Sequence, residues 1–293
     1  MKRALIAMSG GVDSSVAALL MKERGYECIG ATMHLFNNED ACLAKEKTCC
    51  SLSDVEDARS VAWKLDMPHY VLNFTEDFNK EVIQRFIDAY ENGETPNPCI
   101  DCNRYMKFSR MLKRANELEC DCIVTGHYAR IEKVGNRYLL KKSVDSNKDQ
   151  SYVLYSMTQE QLAHTIFPLG EMNKEETRAI AEKNGFVNAH KHDSQDICFV
   201  PNGDYAKVIE LHTGKKYPHG KFVTRGGKVL GEHKGIIKYT IGQRKGLGLA
   251  LPEPMYVGEK RLEENEIVLC RNDELFSKEF DARDFNWIAY DKP

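Results

Sequence analysis

"ALIAMSGGVDSSVAALLMKERG", residues 4–25, places two glycines, an aspartate and three serines between an apolar run and a helix-like tail. Residues 4–8 read as a buried strand, and 13–24 as a helix closed by Gly25. Gly10 and Gly11 let the backbone turn tightly, so that successive N–H groups converge on one point. The helix that follows directs its positive end at the same point, and Ser9, Ser14 and Ser15 add hydroxyl donors. The stretch Ala7, Met8, Ser9, Gly10, Gly11, Val12, Asp13, Ser14 is thus built to grip phosphate, with Asp13 placed to orient the turn or to hold Mg²⁺. It is not a Walker A loop, because the G-x-x-x-x-G-K-[ST] spacing and its lysine are missing. A lone Gly-Gly more often marks only a tight turn; the full string S-G-G-V-D-S-S behind an apolar strand is far more restrictive.

Outward from this turn, strand-like and helix-like segments alternate. "ECIGATM" (27–33), "HYVLNF" (69–74) and "DCIVTG" (121–126) read as strands. Helical patterns fall at 53–65 and 75–92, the second stopping at Gly93. The rhythm predicts an α/β fold with a doubly wound parallel sheet and a ligand at the carboxyl ends of its strands. A hairpin turning at Gly135-Asn136 is expected in "RIEKVGNRYLLKK" (130–142), and a helix over 173–185 with a capping box of Asn173 and Glu176. Past about residue 203 glycine and lysine become frequent, with short β-like runs such as "GKFVT" and "EIVLC". The expected division is a first domain over 1–203, a small basic domain over 204–262 and the start of a third β domain over 263–293.

The 293 residues are 42% hydrophobic and 29% charged, an ordinary globular balance. No apolar run approaches the roughly 20 residues of a membrane span, and the N-terminal run is too short for a signal peptide, so a cytoplasmic protein is expected. Ten cysteines in such a chain point to reduced thiols rather than a disulfide scaffold. The net charge of -3 hides an asymmetry: over 207–261, twelve Lys/Arg face four acidic residues. A second basic stripe, Arg104, Lys107, Arg110, Lys113 and Arg114, follows helical spacing. A charge run is usually a solvated face, but two such surfaces near a phosphate-gripping turn suit a polyanionic substrate.

Five further motifs occur in order: "TPNPCIDCNRYMKF" (95–108), "GHYAR" (126–130), "KDQSYVLY" (148–155), "DSQDICFV" (193–200) and "GQRKGLG" (242–248). The glycine turn resembles the pyrophosphate loop of the N-type ATP pyrophosphatases, a group that includes GMP synthetase, NAD synthetase and tRNA lysidine synthetase. With the other motifs, nearly the whole chain resembles the tRNA-specific 2-thiouridylase family. The resemblance implies ATP as co-substrate with Mg²⁺, the anticodon stem-loop of Lys, Glu and Gln tRNAs as target, and a sulfur-donor protein as partner. It implies adenylation of the wobble uracil at its carbon-2 oxygen, followed by sulfur transfer from a persulfide on Cys198, with Cys102 as the other catalytic cysteine.

The same resemblance places Met33 and Gly126 against the adenosine, and His127 and the segment Lys148, Asp149, Gln150 against tRNA. Arg104 and Lys107 of the basic stripe join that tRNA surface. Cys102 is expected to gain nucleophilicity from a helix N-terminus near Asn103 and from Arg104 and Lys107. Taken alone, a cysteine beside Ile and Phe is usually a small buried hydrophobe, and a histidine past a strand is often only structural. Part of the family carries aspartate where Cys99 stands here. Cys99, Cys102 and Cys198 therefore also suit three thiolate ligands of an iron–sulfur cluster. Zinc on Cys99, Cys102, Cys120 and Cys122 is a third reading by composition. Cys28, Cys49, Cys50 and Cys270 carry no assigned role. The family ends in a C-terminal β-barrel that would be starting at "DFNWIAYDKP" (284–293), so 263–293 is expected as an incomplete sheet, with tRNA binding weakened and ATP binding retained.

Overall fold

The computed structural model describes residues 1–37, 52–193, 196–200 and 203–291. Cys49 and Cys50 lie outside the described residues. The chain forms two units, one of Met1–Val82, Pro98–Pro201 and Phe285–Pro293, the other of Ile83–Asn97 and Asn202–Asp284.

The first unit is built on β1 (Arg3–Ala7), β2 (Glu27–His34), β3 (His69–Asn73), β4 (Cys122–Val124) and, beyond a hairpin, β7 (Thr165–Ile166). The order β3-β2-β1-β4-β7 is parallel throughout, so the chain grows outward from β1 in both directions. Helices cover both faces, which is why β1 is apolar at every interior position rather than at alternate ones. Ala4 and Ile6 pack with Val16 and Ala17 of α1 (Val12–Glu23) and with Ala58 and Val61 of α2 (Leu52–Lys64). Leu5 points the other way, into Phe108, Met111 and Ala115. Burying each such Leu, Ile or Phe contributes about 1.5–3 kcal/mol. The hairpin is β5 (Ala129–Val134) with β6 (Arg137–Lys142), turning at Gly135 with φ +58°. The capping box of Asn173 and Glu176 is present on the helix Lys174–Lys183. No helix among the described residues is long and apolar enough to cross a membrane.

Two helices depart from simple α geometry. The helix over 75–91 runs Thr75–Phe78, a π-pitched Asn79–Ile83, then Gln84–Glu91, and Gly93 stops it at φ +78°. Pro98–Asp101, the π-pitched Cys102–Met111 and Leu112–Glu117 form one continuous helix over 98–117. Its start is Pro98, whose fixed φ suits the first helical position. Cys102 is therefore not at the helix N-terminus expected near Asn103; Cys99 occupies the first turn instead.

The second unit holds a mixed sheet of β8 (Gly220–Thr224), β9 (Val229–His233), β10 (Tyr256–Arg261) and β11 (Glu266–Cys270), in the order β10-β11-β8-β9. Phe222, Tyr239, Val257, Ile267 and Leu269 form its core. Residues 263–293 do not stand apart as a third segment. β11 lies inside this sheet, paired in parallel with β8, while Phe285–Pro293 belongs to the first unit. There Arg137 donates to the carbonyls of Trp287, Ile288 and Tyr290, and Asn286 to those of Tyr155 and Met157.

Candidate functional site

At the carboxyl ends of β1, β2 and β4, where the strand order reverses direction, a cavity of about 310 Å³ opens. That is the place a doubly wound sheet reserves for ligands. Ala7, Met8, Ser9, Asp13 and Ser14 line one side, Thr32 and Met33 another, and Thr125, Gly126 and His127 a third. Cys99, Cys102, Asn103 and Lys107 come from the helix over 98–117, and Asp196, Ile197 and Cys198 from the segment after it in sequence.

The glycine turn is held from behind. Gly10 has φ +73°, and a Cβ there would lie 2.3 Å from the Asp54 carbonyl oxygen, so glycine alone fits. Its own carbonyl accepts from Asn188 Nδ2 at 2.9 Å and Lys191 Nζ at 3.3 Å. Burial opposes the charge on Lys191, yet hydrogen bonds to Asp54 and Asp57 hold its pKa above the ordinary lysine value. Ser14 and Ser15 differ from expectation. Both hydroxyls donate to the Gly11 carbonyl at 3.0 Å, and Ser15 is fully buried. Ser14 Oγ also accepts from Ser9 N–H at 3.2 Å. These serines shape the turn, and the α1 N–H groups are what it offers an anion.

An anion site carrying an aspartate is a puzzle that Lys174 resolves. Its Nζ lies 2.7 and 2.8 Å from the two Asp13 carboxylate oxygens, and the Tyr128 hydroxyl is 2.9 Å from Oδ1. Asp13 is thereby neutralised where a phosphate would otherwise be repelled. Burial, and then the charge of Asp13, hold the Tyr128 phenol well above its usual range. Three hydrogen bonds thus reach the Asp13 carboxylate, two on Oδ1 and one on Oδ2.

Gly126 closes the site at the end of β4. A Cβ there would fall 2.7 Å from Asp13 C and 2.8 Å from Ser14 N, so β4 and the first turn of α1 touch backbone to backbone. His127 is buried, with Nδ1 2.6 Å from Thr125 Oγ1 and its ring against Phe108 and Phe167. Burial first, and then Lys107, push its pKa well below the ordinary value, so the imidazole is neutral at pH 7. Gln150 also lines the cavity, its Oε1 accepting from Tyr128 N–H at 3.0 Å. Asp149 instead accepts from Ser143 N–H and Ser151 Oγ, and Lys148 pairs with Asp193, so neither lines the cavity. Arg104 stacks over Tyr105, while Arg110 and Arg114 pair with Asp77 and Glu117.

Among the described residues, no group of three or more His, Cys, Asp or Glu side chains is arranged to hold a metal ion. Cys99, Cys102 and Cys198 line one cavity without forming such a group. Cys122 and Cys120 pack in cores on opposite faces of the sheet, and burial pushes the Cys122 thiol up to about 12. That environment is wrong for a zinc thiolate.

Family models described as a tRNA methyl transferase HUP domain and a tRNA methyl transferase PRC-barrel domain match residues 2–202 and 206–271. The tRNA-specific 2-thiouridylase MnmA of Clostridium kluyveri is 50% identical over 99% of this chain and 82% of its own length. That of Acetivibrio thermocellus is 53% identical over 99% of this chain and 82% of its own. The chain belongs to the tRNA-specific 2-thiouridylase family. Among solved structures, a 4-thiouridine synthetase–RNA complex with bound ATP aligns at a TM-score of 0.44 and 22% identity, over 72% of this chain and 50% of that one.

Motifs of this 2-thiouridylase-family chain that lie up to about 190 residues apart, the glycine turn, the Cys102 helix and the Cys198 segment, meet at one cavity. Sequence reading missed Asn103, Asp196, Lys174, Asn188 and Lys191. Asn103 and Asp196 sit inside quoted motifs and were within reach of it; the other three each reach a partner more than 130 residues away, Asp13 in the case of Lys174, and such pairs leave no local signal.

Proposed function

We propose that the chain carries out ATP-dependent 2-thiolation of the wobble uridine in tRNA, with Lys, Glu and Gln tRNAs as substrates. The carrying observation is that Cys102 and Cys198 line the same cavity as the phosphate-gripping turn. The α1 N–H groups hold the triphosphate, and Met33 and Gly126 flank the adenosine. The target base leaves the anticodon stack to enter the cavity, as bases acted on by other modifying enzymes do.

The uracil carbon-2 oxygen attacks the α-phosphorus, pyrophosphate leaves, and the oxygen becomes an adenylate leaving group. The terminal sulfur of a persulfide on Cys198, loaded by a sulfur-donor protein, attacks carbon 2 and displaces AMP. The Cys102 thiolate then attacks Cys198 Sγ, leaving sulfur on the base and a Cys102–Cys198 disulfide, which an external dithiol reduces. Lys107 supplies positive charge beside the reacting sulfurs. Neutral His127 offers shape and a hydrogen bond rather than charge. A cytoplasmic location, where such a dithiol is available, suits this cycle.

The test is thiolation of unmodified lysine tRNA with tRNA-dependent pyrophosphate release. Cys198→Ala and Cys102→Ala are expected to drop thiolation to background while retaining ATP binding. Thiolation by either variant at the wild-type rate would overturn the assignment.

A further inference from the structure

Lys174 begins a helix that belongs to none of the chemistry-bearing motifs, yet its ammonium ties two of them together. Nζ lies 2.7 and 2.8 Å from the Asp13 oxygens and 2.7 Å from Asp193 Oδ1, and the side chain is only 11% exposed. Asp193 stands five residues before Cys198. Its Oδ2 is 2.8 Å from Lys148 Nζ, and Arg178 approaches Oδ1 at 3.4 Å. Burial works against its charge, but hydrogen bonds from Lys148 and Lys174 prevail and keep its pKa below the usual carboxylate value. One buried cation thus bridges the start of α1, at the phosphate-gripping turn, and Asp193, five residues before Cys198.

Such a shared ammonium responds to charge. A phosphate entering the turn adds negative charge beside Asp13, draws Lys174 toward the turn and weakens its hold on Asp193. We infer that Lys174 and Asp193 are positioning residues that couple the glycine turn to the placement of Cys198, so that filling the turn alters Cys198 reactivity. The ATP arm of this inference rests on the proposed function; the tether itself does not.

The experiment reads the alkylation rate of Cys198 by iodoacetamide, peptide by peptide, in the full chain with and without ATP, while equilibrium dialysis measures ATP binding. In nucleotide-free protein, Lys174→Met and Asp193→Asn are each expected to change the Cys198 rate about fivefold or more and leave Cys102 unchanged. Lys174→Arg is expected to restore the wild-type rate, which a loss of general stability would not predict. In the wild type, bound ATP shifts the Cys198 rate, and both disrupting variants abolish that shift. If Lys174→Met fails to fold, Asp193→Asn carries the test, because Lys174 then keeps Asp13 as partner. An unchanged Cys198 rate in the nucleotide-free variants overturns the coupling, as does an ATP-bound wild type without a shift. Absence of ATP binding by the wild type overturns the proposed function instead, and the nucleotide-free comparison still decides the tether.

Discussion

Replacing Gly126 by alanine tests whether the contact between the chain just past β4 and α1 is what sets the proposed nucleotide site. The new methyl carbon would sit 2.7 Å from Asp13 C, 2.8 Å from Ser14 N and 2.9 Å from Asp13 Cβ, all short of the 3.4 Å at which ordinary contact begins. The two nearest atoms are backbone, so no flexible side chain can swing away. The first turn of α1 must retreat by roughly half an ångström or more, against a core in which Val16 and Ala17 are fully buried. Overpacking of this kind costs about 1–3 kcal/mol. For a unit of about 200 residues that lowers Tm by about 2–12 °C. The same retreat withdraws N–H donors from the phosphate, and losing one hydrogen bond to a charged group costs about 1.5–3 kcal/mol, a tenfold or greater loss of affinity. Differential scanning fluorimetry and equilibrium dialysis with ATP measure the two effects. Gly11→Ala is the stability control, since its methyl would meet only Ser9 Oγ, at 3.4 Å. A Gly126→Ala protein with wild-type Tm and wild-type ATP affinity would refute the reasoning.

His127, neutral in the fold with its pKa held well below 6.5, makes stability depend on acid. As pH falls below 6.5 the unfolded chain takes up a proton that the folded chain refuses, so stability is lost by up to about 1.4 kcal/mol per pH unit. Urea titrations at pH 7.5 and 5.5 should show that slope, and His127→Gln should flatten it; equal slopes would count against a neutral buried imidazole. In the second unit, burial pushes the Lys260 amine down from 10.5 to about 8, and its Nζ, 5.8 Å from the Tyr90 ring, has no hydrogen-bond partner among the described residues. A depressed lysine pKa means stability present above pH 10.5 and lost as pH falls toward 8. Lys260→Met should therefore raise the unfolding temperature at pH 7, with the gain fading as pH rises; a variant that melts lower at pH 7 would refute this.

The parallel sheet was legible because its strands are buried on both faces and read as unbroken apolar runs between helices. The turn at 9–14 was legible because glycine has a conformational reason to be there. Less visible were features whose cause lies across the fold. Nothing near Lys174 announces a partner 161 residues away, and Ser14 and Ser15 read as phosphate donors until the Gly11 carbonyl is seen to take both hydroxyls. The helix expected to begin near Asn103 begins at Pro98 instead, and the π pitch of Cys102–Met111 has no signature in residue spacing. The 263–293 boundary followed from where the family's barrel was expected, whereas strand pairing, not order along the chain, decides which sheet a run such as "EIVLC" joins.

Because Phe285–Pro293 returns to the first unit after the second has been completed, no single cut separates the two. A fragment ending near residue 203 would lose the carbonyls that Arg137 grips and the Ile288 side chain that packs against the same core as Tyr138 and Leu140. It would melt early for reasons unrelated to catalysis. Dissecting this protein calls for removing 83–97 and 202–284 together while the tail is left in place.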